Sequence, residues 1–199
     1  MANNKITFGL KNVHYSIATQ TEGGVWSFAT PVALPGAQEF TSDIVGGSSS
    51  VYADDIVYSV ISQSAGRTIT LKFTEITEEF KIAVLGYKRL ANGNLIEIAN
   101  AKPVTFALGL EFDGDVKHRR VWFYLCNVTP ISESSKTKAD SIEANSTTLN
   151  ITCRPLEDDG YLVINCVADE TNSNYSSFLT TAPSKPVIPT PNSGDQNND

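Results

Sequence analysis

Acids and bases crowd into one short stretch, Phe106 to Val128, "FALGLEFDGDVKHRRVWFYLCNV". Glu111, Asp113 and Asp115 are followed at once by Lys117, His118, Arg119 and Arg120. Three kinds of chemistry use such residues. Carboxylates with a histidine bind a divalent cation. A basic run beside aromatics grips nucleic acid. Opposite charges also simply face one another across a hairpin. A calcium loop needs several more oxygen ligands at fixed spacing than this stretch supplies. The flanks favour the hairpin. Phe106, Leu108, Leu110 and Phe112 alternate with Thr105, Ala107, Gly109 and Glu111, which is the period of a strand. Val121 to Val128 is nearly all apolar and aromatic, as in a strand buried on both faces. Between them, Asp113-Gly114 is a pair favoured where a hairpin needs positive φ. A loop over Asp113 to Asp115 would set Phe112 opposite Val116 and Glu111 opposite Lys117. The charges are then cross-strand partners.

Other reactive side chains are few. Cys126, Cys153 and Cys166 each sit in a strand-like run. Their odd number and their settings predict free, buried thiols in a reducing compartment. A nucleophilic cysteine needs a histidine or a basic, exposed setting. The two histidines, His14 and His118, both fall in strand patterns. Asp54-Asp55 reads as a turn or interface pair, since no histidine or third acid stands at ligand spacing. Asn127, Asn145 and Asn150 open N-x-S/T sequons, which read as chance in a chain rich in Thr and Asn. The chain carries no Walker loop, no G-x-G-x-x-G, no G-x-S-x-G and no C-x-x-C. No catalytic, cofactor-binding or metal-binding residue is therefore assigned, and no enzyme activity is expected.

Composition narrows the partners. The chain has 199 residues and a net charge of −7, so it is poorly suited to holding DNA phosphates. No apolar run approaches the length of a membrane span. The N-terminus, "MANNKITFGLK", has no long apolar stretch of the secretory kind.

The elements that must position these residues are mostly strands. Ile6, Phe8 and Leu10 alternate with polar or small residues. So do Ile69, Leu71 and Phe73, and Leu149, Ile151 and Cys153; Leu162, Ile164 and Cys166 share one face. Further strands are predicted near 25–33, 38–45, 51–62 and 95–99. One segment breaks the period. "TEITEEFKIAVLGYK" places Ile76, Phe80, Ala83, Val84 and Tyr87 at helical spacing. Thr77 is a fitting N-cap, Glu78 and Glu79 suit the first turn, and Gly86 suits the position past the end. Phe80 is the expected anchor of this helix. The fold class is mainly β, a β-sandwich or half-barrel with one flanking α-helix. Two regions read as loose: "GGSSS" within Asp43 to Asp55, and the tail from Asp169, rich in Asn, Ser, Thr, Pro and Asp. The division is a β domain over 1–168 and a flexible tail over 169–199. Removing Ala182 onward is expected to leave stability unchanged.

Six pieces in order carry a resemblance: "ITFGLKNVHYSIAT", "PVALPGAQEF", "VYADDIVYSV", "EEFKIAVLGYKRLANGNLIE", "FALGLEFDGDVKHRRVWFYLCN" and "TLNITCRPLEDDG". Together they resemble the major tail (tail tube) proteins of long-tailed, non-contractile phages and prophages of Gram-positive bacteria. The resemblance implies a virion structural protein, made in the bacterial host cytoplasm. Its copies join into rings, usually hexameric, which stack into a hollow tube for genome ejection. Implied partners are further copies of itself, other tail proteins such as the tape measure and tail terminator, and viral DNA that passes without specific binding. No membrane and no cofactor are implied. The alternative is a β-sandwich module that binds carbohydrate or a cell surface. The expected subunit interface is Gly46, Gly47, Tyr52, Asp54, Asp55, Val57 and Tyr58. The strand-like run after "GGSSS" carries apolar groups on both faces, which suits one face for the subunit's own core and one for a neighbour.

Overall fold

The structure, a computed structural model, describes residues 9–53, 56–129, 132–133, 146–158 and 160–186; for 48–53, 56–63 and 132–133 it describes the backbone path. The strands are β1 Leu10–Gln20, β2 Trp26–Phe28, β3 Val32–Ala33, β4 Ala37–Ala53, β5 Ile56–Phe73, β6 Lys88–Arg89 and β7 Leu95–Ile96. They continue with β8 Phe106–Phe112, β9 Arg120–Val128, β10 Ser132–Glu133, β11 Thr147–Arg154, β12 Leu156–Asp158, β13 Tyr161–Val163 and β14 Asn165–Ala168. Among the described residues there is one α-helix, α1, which spans Glu78–Leu85, and a short 3-10 turn at Tyr175–Ser177. The protein is mainly β, with a large antiparallel sheet in the order β2-β1-β8-β9-β11-β5-β4. Strand β14 adds to β9, β3 to β1, and β10 to β11. The sheet curls, so that Phe40 of β4 packs edge-on against Phe112 of β8 at 5.9 Å.

Helix α1 closes the inner face of that curl. The Thr77 side chain accepts the Phe80 N–H, and Gly86 ends the helix at φ 78°. A left-handed residue there is unstrained only because glycine has no Cβ. Phe80 is fully buried. Its ring meets Tyr15 at 5.0 Å and Phe106 at 5.8 Å, both edge to face. The helix and its Thr77 cap form where the spacing places them, with Phe80 on the buried face.

Strand β9 is buried on both faces, as its composition required. Its alternation is interrupted once. Leu108 pairs with Phe123 but Phe106 pairs with Cys126, so β9 carries an extra residue in between. Tyr124 and Leu125 consequently both pack on the outer face. Val121, Phe123, Cys126 and Val128 pack in the inner core with α1.

The packed body runs on past residue 168. Leu179 is 3% exposed and lies on Ala107 and Trp122, with Phe178 beside them. Composition made 169–186 look like a tail because its few apolar side chains are scattered. Two of them, with backbone acceptors for Trp122 and Arg120, suffice to seat the segment on the outer face. Residues 187–199 lie outside the described residues.

Candidate functional site

The charged stretch forms a longer connection than the sequence predicts. Strand β8 ends at Phe112 and β9 begins at Arg120, so the loop covers 113–119 and Glu111 stands opposite Arg120 rather than Lys117. The reason lies in Asp115, whose side chain is buried. It accepts the Lys117 N–H at 3.3 Å and pairs with Arg119, while its carbonyl accepts the His118 N–H at 2.8 Å. Asp113 is drawn the other way, its N–H bonding the Gly9 carbonyl at 3.0 Å. His118 is in this loop with φ 45°, not in a strand.

Glu111, Asp113 and His118 can bring their ligand atoms within 4.8 Å of one another. Their charges are already engaged. Arg120 Nε donates to Glu111 at 2.8 Å, and Asn12 donates to the same oxygen at 3.0 Å. Lys11 pairs with Asp113, which raises its ammonium pKa above the ordinary value. A bound cation would have to displace Lys11 and Arg120, so the arrangement is that of an ion-pair network. The sequence grouped these charges correctly but missed Lys11 and Asn12, which only strand pairing brings to Glu111.

Across the outer face, residues 170–186 form a strap over β9. Trp122 Nε1 donates to the Phe178 carbonyl at 2.7 Å, and the Tyr124 hydroxyl donates to the Ser184 carbonyl at 3.3 Å. Burial pushes the Tyr124 phenol far above its ordinary pKa. A cleft of about 270 Å³ lies between strap and sheet, lined by Trp122, Tyr124, Cys166, Phe178, Pro183 and Pro186 among others. Its walls combine aromatic, proline and thiol groups with the hydroxyl and amide groups of Asn174, Ser177, Thr181 and Ser184, and among the described residues include no histidine or carboxylate.

The expected interface residues fall on a long antiparallel hairpin. "GGSSS" is part of β4, not a loop. The run 51–62, read as one strand, holds the end of β4 and the start of β5, with Ala53 partnered to Ile56. Tyr52 therefore stands opposite Val57, and Tyr58 is the extra residue where the register shifts. Gly46 and Gly47 pair with Ser64 and Gln63. Asp54 and Asp55 lie outside the described residues.

The two halves of this hairpin differ. From Arg67 to Phe73, β5 is flanked by β4 and by β11. Residues 56–66 of β5 pair with β4 alone among the described residues. The outer half is thus a two-stranded arm leaving the sheet. Gly66 marks the departure. Its φ is 148°, and a Cβ there would lie 2.3 Å from the Cys153 carbonyl oxygen. Ile44 and Val45, opposite this point, are 66% and 42% exposed.

No helix among the described residues is long and apolar enough to cross a membrane. No protein-family model matches the chain, and no curated protein matches it. Solved structures bear a distant likeness, two of them as follows. One is Hcp1 from Flavobacterium johnsoniae, at 8% identity and a TM-score of 0.37, covering 81% of this chain and 97% of that one. The other is a type six secretion system protein, at 10% identity and a TM-score of 0.35, covering 78% and 91%.

Proposed function

We propose that the chain is the subunit of a hollow tube of the phage-tail kind, built from stacked hexameric rings through which DNA passes into the host. The reading rests on the six ordered sequence pieces, and one structural observation carries it further: the β4–β5 arm. A two-stranded ribbon on its own is marginally stable in water. The edge of β4 runs over Ala37–Ala53, and β5 is its only strand partner among the described residues. Such an edge is a site of unwanted pairing unless something covers it. A neighbouring copy would cover the edge and the arm together, and would bury Ile44 and Val45. The net charge of −7 suits a lumen along which DNA slides without sticking. On this reading the protein resides in the virion, beside tape-measure and tail-terminator proteins. Negative-stain electron microscopy of the purified full-length chain after concentration tests it. Rings or tubes of constant diameter are expected. A protein that stays monomeric at high concentration, with particles of one subunit only, would overturn the proposal.

A further inference from the structure

Cys126 and Cys153 are directly opposed across the β9–β11 seam. The extra residue in β9 turns Cys126 into the inner core, the face on which Cys153 already lies. Without that bulge, the alternation that buries Tyr124 outward would carry Cys126 outward too. The two sulfurs are 2.6 Å apart, and both residues are almost wholly buried. We infer that this pair is a thiol–disulfide site: a dithiol where the surrounding thiol pool is reducing, and a cross-strand disulfide where it is oxidising.

The geometry required is already in place. Opposed Cα atoms in an antiparallel sheet lie about 4.5 or 5.5 Å apart. A disulfide spans Cα separations of about 4.4–6.8 Å. Closure therefore asks little of the backbone. In the balanced step, one cysteine thiolate attacks a small disulfide such as oxidised glutathione and releases one glutathione. The second cysteine then attacks the mixed disulfide and releases the other. Two thiols are oxidised, one external S–S bond is reduced to two thiols, and one protein S–S bond forms. Burial pushes the Cys126 thiol up and so suppresses its thiolate in the closed sheet. The bond accordingly closes during folding or local opening, and once made it is shielded from reductants. Cys166 takes no part. It packs with Tyr124 on the outer face, on the other side of the sheet from the pair.

The test is to refold the full-length chain to equilibrium in a buffer of reduced and oxidised glutathione. The product is then acid-quenched, unfolded and labelled with a maleimide for mass analysis. One labelled thiol, Cys166, and a peptide joining Cys126 to Cys153 are expected, and dithiothreitol should restore three labels. The Cys166→Ser variant should take no label before reduction. Three labels at an oxidising poise, bonds to Cys166, or glutathione adducts left on Cys126 or Cys153 would overturn the inference.

Discussion

Arg120 holds Tyr175 twice: its guanidinium carbon lies 4.0 Å from the ring centroid, and its Nη1 donates to the Tyr175 carbonyl at 2.6 Å. The same guanidinium neutralises buried Glu111. The chain past residue 168 is thus tied to the ion-pair network at the β8–β9 turn. Tyr175 adds a hydrogen bond from its hydroxyl to the His118 carbonyl at 2.8 Å.

The strap should therefore contribute to stability. Leu179→Ala removes a buried side chain and should cost about 2–5 kcal/mol. Truncation after Thr181 removes buried Pro183, the Ser184 acceptor of Tyr124, and Lys185, which pairs with buried Asp158. It should lower the urea midpoint, contrary to what composition alone suggests. Unchanged midpoints for both variants would show that the strap rests on the sheet without stabilising it.

Helix α1 should depend on one ring. Phe80→Ala empties a site between Tyr15 and Phe106 and should cost about 3–5 kcal/mol. Thr77→Ala should cost about 0.5–2 kcal/mol as a lost N-cap. Glu79→Ala should cost only about 0.3 kcal/mol, through the helix dipole. Chemical denaturation of the three variants checks the ranking.

What was legible in the sequence was local. The cap at Thr77, the anchor Phe80, the stop at Gly86 and the doubly buried β9 all follow from spacing and residue type. What was not legible depends on contacts distant in sequence. Asp115 lengthens the β8–β9 loop because its buried carboxylate meets Arg119. The bulge beyond Phe123 has no marker in "VWFYLCNV". Asn12 and Lys11 reach Glu111 only because β1 lies beside β8. Residues 170–186 looked unstructured because their anchoring bonds come largely from backbone carbonyls, which composition does not record. The hairpin of β4 and β5 was half visible: its strand character was clear, its reversal near Ala53 was not. The subunit interface itself is a proposal that the residues suggest.

Alkaline pH should destabilise the protein early. The folded-state values of Cys126 and Tyr124 are raised above 9.0 and 10.0, chiefly by burial. A group whose pKa is higher folded than unfolded contributes fully below the unfolded value, and its contribution is lost as pH rises towards the folded one. In this window the unfolded chain gives up protons that the folded chain retains. The urea midpoint should fall from about pH 9 upward, and Tyr124→Phe should flatten the fall above pH 10. An identical slope in that variant would assign the loss to other groups.

The arm gives the prediction that separates an assembly protein from a self-contained domain. Gly66 sits where β5 leaves the sheet, and a side chain there meets the Cys153 carbonyl. Gly66→Ala should cost about 1–3 kcal/mol through overpacking and backbone strain, and should misdirect the arm in any copy that still folds. Tyr52→Ala with Tyr58→Ala acts differently. Those residues lie in the outer half, where β4 and β5 have only each other among the described residues. The double variant should leave the urea midpoint of the monomer near that of the parent and abolish rings or tubes in the microscope. Hydrogen exchange supplies the independent measure. With no third strand among the described residues, amides of 46–53 and 56–64 should exchange quickly in the monomer, while those of 67–73, held between β4 and β11, exchange slowly. On assembly the arm should become protected and the inner half should change little. Normal tubes from the double tyrosine variant, or equal exchange in the arm before and after assembly, would move the interface elsewhere and leave the arm an ordinary surface hairpin.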